Sequence, residues 1–186
     1  MSARRSRARR SGPRAAVGVA FAGALAAAMA ASPEAHALGP IEIEVAGEGG
    51  WATMTDAGST NVFGPHIGGR GGVTIFSYYL GLQGLKYFGQ NNLSAVQLGG
   101  QLGYQFKLPG DILRIRPRVG LGQMTIDGPN ASDSHFYLEP GITGIIPLGP
   151  VFFIGADAAW LIPALDQASS GLHSGPALRA EIGVKF

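Results

Sequence analysis

The sequence predicts an all-β protein: an eight-stranded antiparallel up-and-down transmembrane β-barrel, preceded by a cleavable signal peptide. Three observations carry this expectation. An arginine-rich start leads into an alanine-rich apolar run, apolar and polar residues then alternate at period two in eight segments, and the connections between those segments alternate between long and short.

The amino-terminal signal comes first. Arg4, Arg5, Arg7, Arg9, Arg10 and Arg14 precede an apolar run from Ala15 to Ala31, and Ala35-His36-Ala37 places small residues at −3 and −1 of a cleavage site after Ala37. The expected division is a signal peptide over 1–37 and a barrel domain over 38–186. A membrane-spanning helix needs about 20 strongly apolar residues, whereas this run is mostly alanine and stops at Ser32-Pro33-Glu34. No Phe-Leu-Lys follows the paired arginines, which favours the general secretory route over the twin-arginine one. The basic balance of the chain belongs to this segment. Residues 38–186 hold eight basic and eleven acidic side chains, so nucleic-acid binding loses its electrostatic motive. With no cysteine, an exported chain must hold its fold without disulfides, which a closed sheet can do.

Eight segments follow. The first, from Ile41 to about Thr53, sets Ile41, Ile43, Val45 and Trp51 against Glu42, Glu44 and Glu48. The second, about Ile67 to Phe76, and the third, about Tyr79 to Phe88, nearly touch. In the fourth, Val96, Leu98, Leu102, Tyr104, Phe106 and Leu108 oppose Gln97, Gln101, Gln105 and Lys107. After Pro109-Gly110-Asp111, the fifth sets Leu113, Ile115, Pro117, Val119 and Leu121 against Arg114, Arg116 and Arg118. The sixth puts Phe136, Leu138, Pro140 and Ile142 opposite His135, Tyr137, Glu139 and Thr143. In the seventh, Phe152, Ile154, Ala156 and Trp160 oppose Phe153, Asp157 and Ala159. The eighth places Leu178, Ala180, Ile182, Val184 and Phe186 on one face and Arg179, Glu181, Gly183 and Lys185 on the other. Pro117 and Pro140 each remove a hydrogen-bond donor where a closed sheet has no free edge, which predicts local bulges.

The connections after segments one, three, five and seven (Asp56 to His66, Gly89 to Leu93, Asp127 to Ser134, Pro163 to Gly175) are long or polar, and the others are tight. Short periplasmic turns alternating with longer extracellular loops suit a transmembrane barrel with both mature termini in the periplasm. A soluble lipocalin-type barrel alternates as well, but with its apolar face inward. Against it stand aromatics near both ends of the apolar face: Trp51, Phe136 and Trp160 at the outer side, Phe106, Phe152 and Phe186 at the periplasmic side. Such girdles suit two membrane interfaces.

With the terminal Glu181-Ile182-Gly183-Val184-Lys185-Phe186 and the strand Arg116-Pro117-Arg118-Val119-Gly120-Leu121-Gly122, residues 38–186 resemble the small eight-stranded outer-membrane barrels of Gram-negative bacteria. That group includes the OmpA transmembrane domain and the OmpX and OmpW types. The resemblance implies residence in the bacterial outer membrane, contact with its lipids and lipopolysaccharide, and Phe186 as a signal read by the barrel-assembly machinery.

Parity places seven cations (Arg70, Lys107, Arg114, Arg116, Arg118, Arg179, Lys185) and six anions (Glu42, Glu44, Glu48, Glu139, Asp157, Glu181) inside. An eight-stranded barrel has room for side chains and little else, so these charges should pair into an ionic plug, with Arg114, Arg116 and Arg118 meeting Glu42, Glu44 and Glu48. The leading expectation is therefore a non-enzymatic protein with a structural or surface-contact role. The alternative is a narrow pore or a lateral passage for ions or small apolar molecules. Enclosed carboxylates facing arginines stay ionised and out of substrate reach, which argues against acid/base chemistry. His66, His135 and His173, with Asp127, Asp133 and Asp166, lack ligand spacing and read as solvated loop residues, so no metal or cofactor is expected. A lipid-modifying Ser/His arrangement from Ser132, Ser134 and His135, or Ser169, Ser170 and Ser174, lacks an identifiable third group. Gly68 to Gly72 and Gly99-Gly100 lie in strands with no following helix, so they are not phosphate loops.

Overall fold

The computed structural model describes residues 41–54, 63–89, 93–128, 132–164 and 173–186. The predicted signal peptide, Asp56, Asp166, Ser169 and Ser170 lie outside the described residues. Eight strands form: β1 (Ile41–Ala52), β2 (Pro65–Ile75), β3 (Tyr78–Phe88), β4 (Ser94–Tyr104, extended by Phe106–Lys107), β5 (Arg114–Asp127), β6 (Ser132–Leu148), β7 (Phe152–Ala164) and β8 (Gly175–Lys185). Each pairs antiparallel with the next, and β8 pairs with β1, so the sheet is a closed barrel.

The register sets the size of the barrel. Partners followed once around the sheet run Glu42, Thr74, Tyr79, Gly103, Arg118, Gly141, Ala159, Ala177 and back to β1 at Ala52, ten residues beyond the start. With 3.3 Å per residue and 4.8 Å between strands, that stagger gives a tilt of about 40° and a backbone radius of about 8 Å. Side chains alone fill such a lumen.

Three tight connections lie at the end that holds Ile41 and Lys185, called here the terminal end; the opposite end is the distal end. Phe76 turns the chain with φ of 58°, Gly149 with φ of 80°, and Pro109–Asp111 form a single 3-10 turn with Gly110 at φ 77°. Glycine at the last two positions meets a left-handed backbone without a Cβ clash.

Four expectations need correction. Bulges are absent at Pro117 and Pro140. Between β4 and β5 the bridges lapse opposite Pro117, from Gly103↔Arg118 to Phe106↔Ile115, and resume in the same register. The Gln105 N–H donates instead to the carbonyl of Ser77, in the turn between β2 and β3, at 2.7 Å. Between β6 and β7 the ladder likewise passes from Leu138↔Ile162 to Gly141↔Ala159 with no residue gained. A bulge needs an extra residue; a proline removes only a donor.

Lys107 is exposed and no part of the interior, because the two-residue extension carries it past the enclosed lumen onto the terminal rim. His66 is no solvated loop residue. It lies in β2, where strand parity turns it inward, buried 4.8 Å ring to ring from Tyr87. The outward column of β8 holds for Leu178, Ala180 and Ile182, but Val184 is buried between Val45 and Phe152, and Phe186 is half-buried.

Candidate functional site

Alternation along each strand turns every second side chain into the lumen, and the stagger decides which of them meet. Three groups of charges succeed one another from the terminal end. At the rim, Arg114 bonds Glu42 and holds Asp111 through two contacts, Nε to Oδ1 at 2.7 Å and Nη2 to Oδ2 at 2.6 Å. Asp111 sits in the turn, and these hydrogen bonds from Arg114 hold its carboxyl below the usual range. Sequence parity missed it because a turn residue has no face.

The next group spans the lumen. β1 and β5 are four strands apart in an eight-stranded ring, so Arg116 and Glu44 reach toward each other across the diameter, and Arg116 Nη2 donates to Glu44 Oε2 at 2.7 Å. Arg116 also bonds Gln105 and lies 3.9 Å from the centre of the Tyr79 ring. Arg70 bonds Glu44 as well, and clasps Glu181 at 2.8 and 2.9 Å. The Arg70 guanidinium further donates to Tyr79 at 3.0 Å and lies 3.3 Å from Glu48, whose other oxygen accepts from Gln83 at 2.6 Å.

The third group is a four-membered ring. Arg118 clasps Asp157 at 2.8 and 2.6 Å and reaches Glu139 at 2.8 Å. Arg179 clasps Glu139 at 2.7 and 2.8 Å and reaches Asp157 at 2.8 Å. Thr143 donates to Asp157, and Gln97 to Glu139. Arg114 and Arg116 thus take Glu42 and Glu44 as partners, whereas Arg118 takes Asp157 and Glu139, and Glu48 goes to Arg70 and Gln83. Lys185 is buried at the terminal end beside the first group.

Beyond the ring the interior changes character. Ala52, Met54, Phe63, Leu85, Tyr87, Ala95, Met124, Tyr137, Leu161 and Ala177 pack into one buried apolar cluster at the distal end. The signal was present in the sequence: Leu85, Met124 and Leu161 share the inward parity of Gln83, Arg118 and Asp157. Along the interior, paired charges are thus followed by apolar packing toward the distal end.

The outer wall is apolar on every side, with Leu82 73% exposed, Ile67 61%, Leu178 63% and Ile182 66%. Aromatics project outward at both rims. Phe106 and Phe152 mark the terminal rim together with Phe76, Tyr78 and Tyr104; Trp51, Phe136 and Trp160 mark the distal rim together with Phe88. Tyr78, Tyr104 and Phe106 touch in series, with ring centres 5.2 and 4.8 Å apart. Phe152 and Trp160 are eight residues apart on β7, and Tyr78 and Phe88 ten residues apart on β3, so at about 40° of tilt the rims stand about 20–25 Å apart.

Among the described residues no group of three or more His, Cys, Asp or Glu is placed to hold a metal. Ser132 donates to Asp127 at 2.8 Å and Ser134 shares a 3.0 Å hydrogen bond with Thr125. Neither serine is joined to His135 by a hydrogen bond among the described residues.

No protein-family model matches the sequence, and no curated protein matches it either. Solved structures do. The N-terminal β-barrel domain of Pseudomonas aeruginosa OprF matches with a TM-score of 0.58 at 17% identity, over 78% of this chain and 97% of that one. Neisserial surface protein A (NspA) matches with a TM-score of 0.58 at 12% identity, over 79% and 97%. Ail, the attachment invasion locus protein of Yersinia pestis, matches with a TM-score of 0.53 at 12% identity, over 78% and 98%. The described chain thus has the fold of the small eight-stranded outer-membrane β-barrels.

Proposed function

We propose that this chain is an integral protein of the Gram-negative outer membrane, kin to the OmpA, OmpX and OmpW types, with a structural or surface-contact role and a non-conducting lumen. The carrying observation is an apolar, aromatic-rimmed outer wall around an interior filled by paired charges. Soluble proteins rarely expose a contiguous apolar patch larger than a few hundred Å², and a closed sheet is one of the two backbone arrangements that satisfy every polar group in lipid. The spacing of the rims suits the apolar band of about 25 Å typical of outer-membrane barrels.

In this reading residues 1–37 are removed on export, the terminal end faces the periplasm, and the distal loops face the exterior. The wall contacts outer-membrane lipids and lipopolysaccharide. NspA is named a surface protein and Ail the attachment invasion locus protein, which supports a contact role for the exposed end. No catalytic, cofactor or metal role is proposed.

Planar-bilayer recording on the refolded barrel tests the lumen. No steady channels are expected, because conduction would require both the Arg116–Glu44 contact and the distal apolar cluster to open. Steady conductance that disappears on Arg116→Ala would favour a charge-lined path instead. A second reading, a lateral passage for small apolar molecules, is favoured by one observation: the β6–β7 ladder lapses at Glu139 and Pro140, beside the buried Leu161 of the apolar interior.

The carboxy-terminal strand is read as the contact with the barrel-assembly machinery. Phe186 exchanges two backbone hydrogen bonds with Ile43, at 2.9 and 2.8 Å, that complete the β8–β1 seam. Deleting Phe186 removes both, about 1 kcal/mol each, and is expected to lower the yield of the compact, heat-modifiable form on detergent gels. An unchanged yield would count against the assignment.

A further inference from the structure

We propose that Lys86 binds the phosphate of a lipid in the leaflet at the distal end of the barrel. The inference rests on the outer-membrane reading above. Among the described residues, Lys86 is the one charged side chain that faces outward on the wall between the two aromatic rims. Its strand neighbours on either side are apolar, Ile67 on β2 and Val96 on β4. No ion pair joins it to a described carboxylate.

Its position and direction specify the occupant. Lys86 is two residues below Phe88 of the distal rim, and its Nζ lies 5.6 Å from the centre of the Phe88 ring, so the side chain climbs toward the distal end. A cation on the lipid face is costly at the bilayer midplane and nearly free of penalty near the interface. The climb therefore brings the ammonium to the level at which headgroup phosphates begin. Continuing from Lys86 through Val96, the same hydrogen-bonded row reaches Thr125 and Ser134, whose exposed hydroxyls are joined at 3.0 Å. Thr125 and Ser134 lie two and three strands from Lys86 on that row, so the sector carries a cation and, further around, hydroxyls, with the nearby Asp127 carboxylate already accepting from Ser132. Around the wall at the same rim, β1 and β7 present Trp51 and Trp160 instead. A phosphorylated headgroup with its acyl chains directed down the apolar wall complements this arrangement in charge and in polarity.

The test uses the full chain expressed in cells and extracted in mild detergent, with native mass spectrometry of the lipid retained from added diphosphoryl lipid A or its dephosphorylated form. Wild type is expected to retain the phosphorylated lipid preferentially. Lys86→Gln should reduce that retention about fivefold, the effect of one cation near a charged lipid surface, while Lys86→Arg preserves it and Lys107→Gln leaves it unchanged. Equal retention by Lys86→Gln, equal retention of the dephosphorylated lipid, or an equal loss in Lys107→Gln each overturns the proposal. Heat-modifiable migration and vesicle insertion are followed in parallel. A wild-type chain that fails to insert defeats the outer-membrane reading and this site with it, whereas normal insertion without selective retention defeats the site alone.

Discussion

Arg179→Met is expected to cost about 3–5 kcal/mol of stability, the penalty for removing one partner from a buried ion pair. The Arg179 side chain is fully enclosed, and it supplies two of the contacts to Glu139 and one to Asp157. With methionine there, Arg118 alone would have to balance both carboxylates among buried side chains. The penalty is mainly the cost of leaving an anion enclosed and undercompensated, since intact buried pairs often do little better than apolar residues of the same volume. Urea unfolding of the barrel in phospholipid vesicles, followed by the fluorescence of Trp51 and Trp160, measures it. Lys107→Met is the control: an exposed cation on the rim, with no ion pair among the described residues, should change stability by less than about 0.5 kcal/mol. A loss below about 1 kcal/mol for Arg179→Met would mean that the four-membered ring contributes little.

Gly122→Ala is expected to be as damaging, through sterics and not charge. An added Cβ would lie 2.1 Å from the Leu98 carbonyl oxygen and 2.4 Å from the Gly99 Cα, both backbone atoms of the paired strand. Those atoms can move only if β4 and β5 separate. Gly99, its register partner, is under the same constraint, since a Cβ there would meet the Tyr137 hydroxyl at 2.0 Å. The two glycines leave the space that Tyr137, itself paired with Gly122 from β6, occupies as it enters the lumen. A destabilisation of about 3 kcal/mol or more follows, visible as a reduced folded band on unheated gels. Gly47→Ala provides the contrast, because a Cβ at Gly47 meets nothing within 4 Å. Equal behaviour of the two variants would refute the close-packing argument.

Much of this architecture was legible in the chain. The Arg114, Arg116 and Arg118 series and the Glu42, Glu44 and Glu48 series declare an inward face because strand side chains alternate strictly, and two of the three tight turns declare themselves by Pro109-Gly110 and Gly149-Pro150, whereas the turn at Phe76-Ser77 carries neither residue. Three features escaped. Asp111 contributes to an ion pair from a turn, where parity says nothing. His66 falls at a strand start that sequence reads as loop. The distal apolar cluster was hidden by the prominence of charge nearer the terminal end, although its residues keep the same parity.

Alternation along an extended backbone is local, so the chain tells which face most strand residues take, though not those at strand ends and turns such as Lys107, His66 and Asp111. Which charges meet depends on the closed ring. Arg116 and Glu44 are separated by 72 residues, and they touch because eight strands closed with a ten-residue stagger make a lumen narrow enough for two long side chains to span. The same closure turned Arg118 toward Asp157 and Glu139 and left Glu48 to Arg70 and Gln83. Pairing depends on the radius and stagger of the whole ring, and no local pattern encodes either.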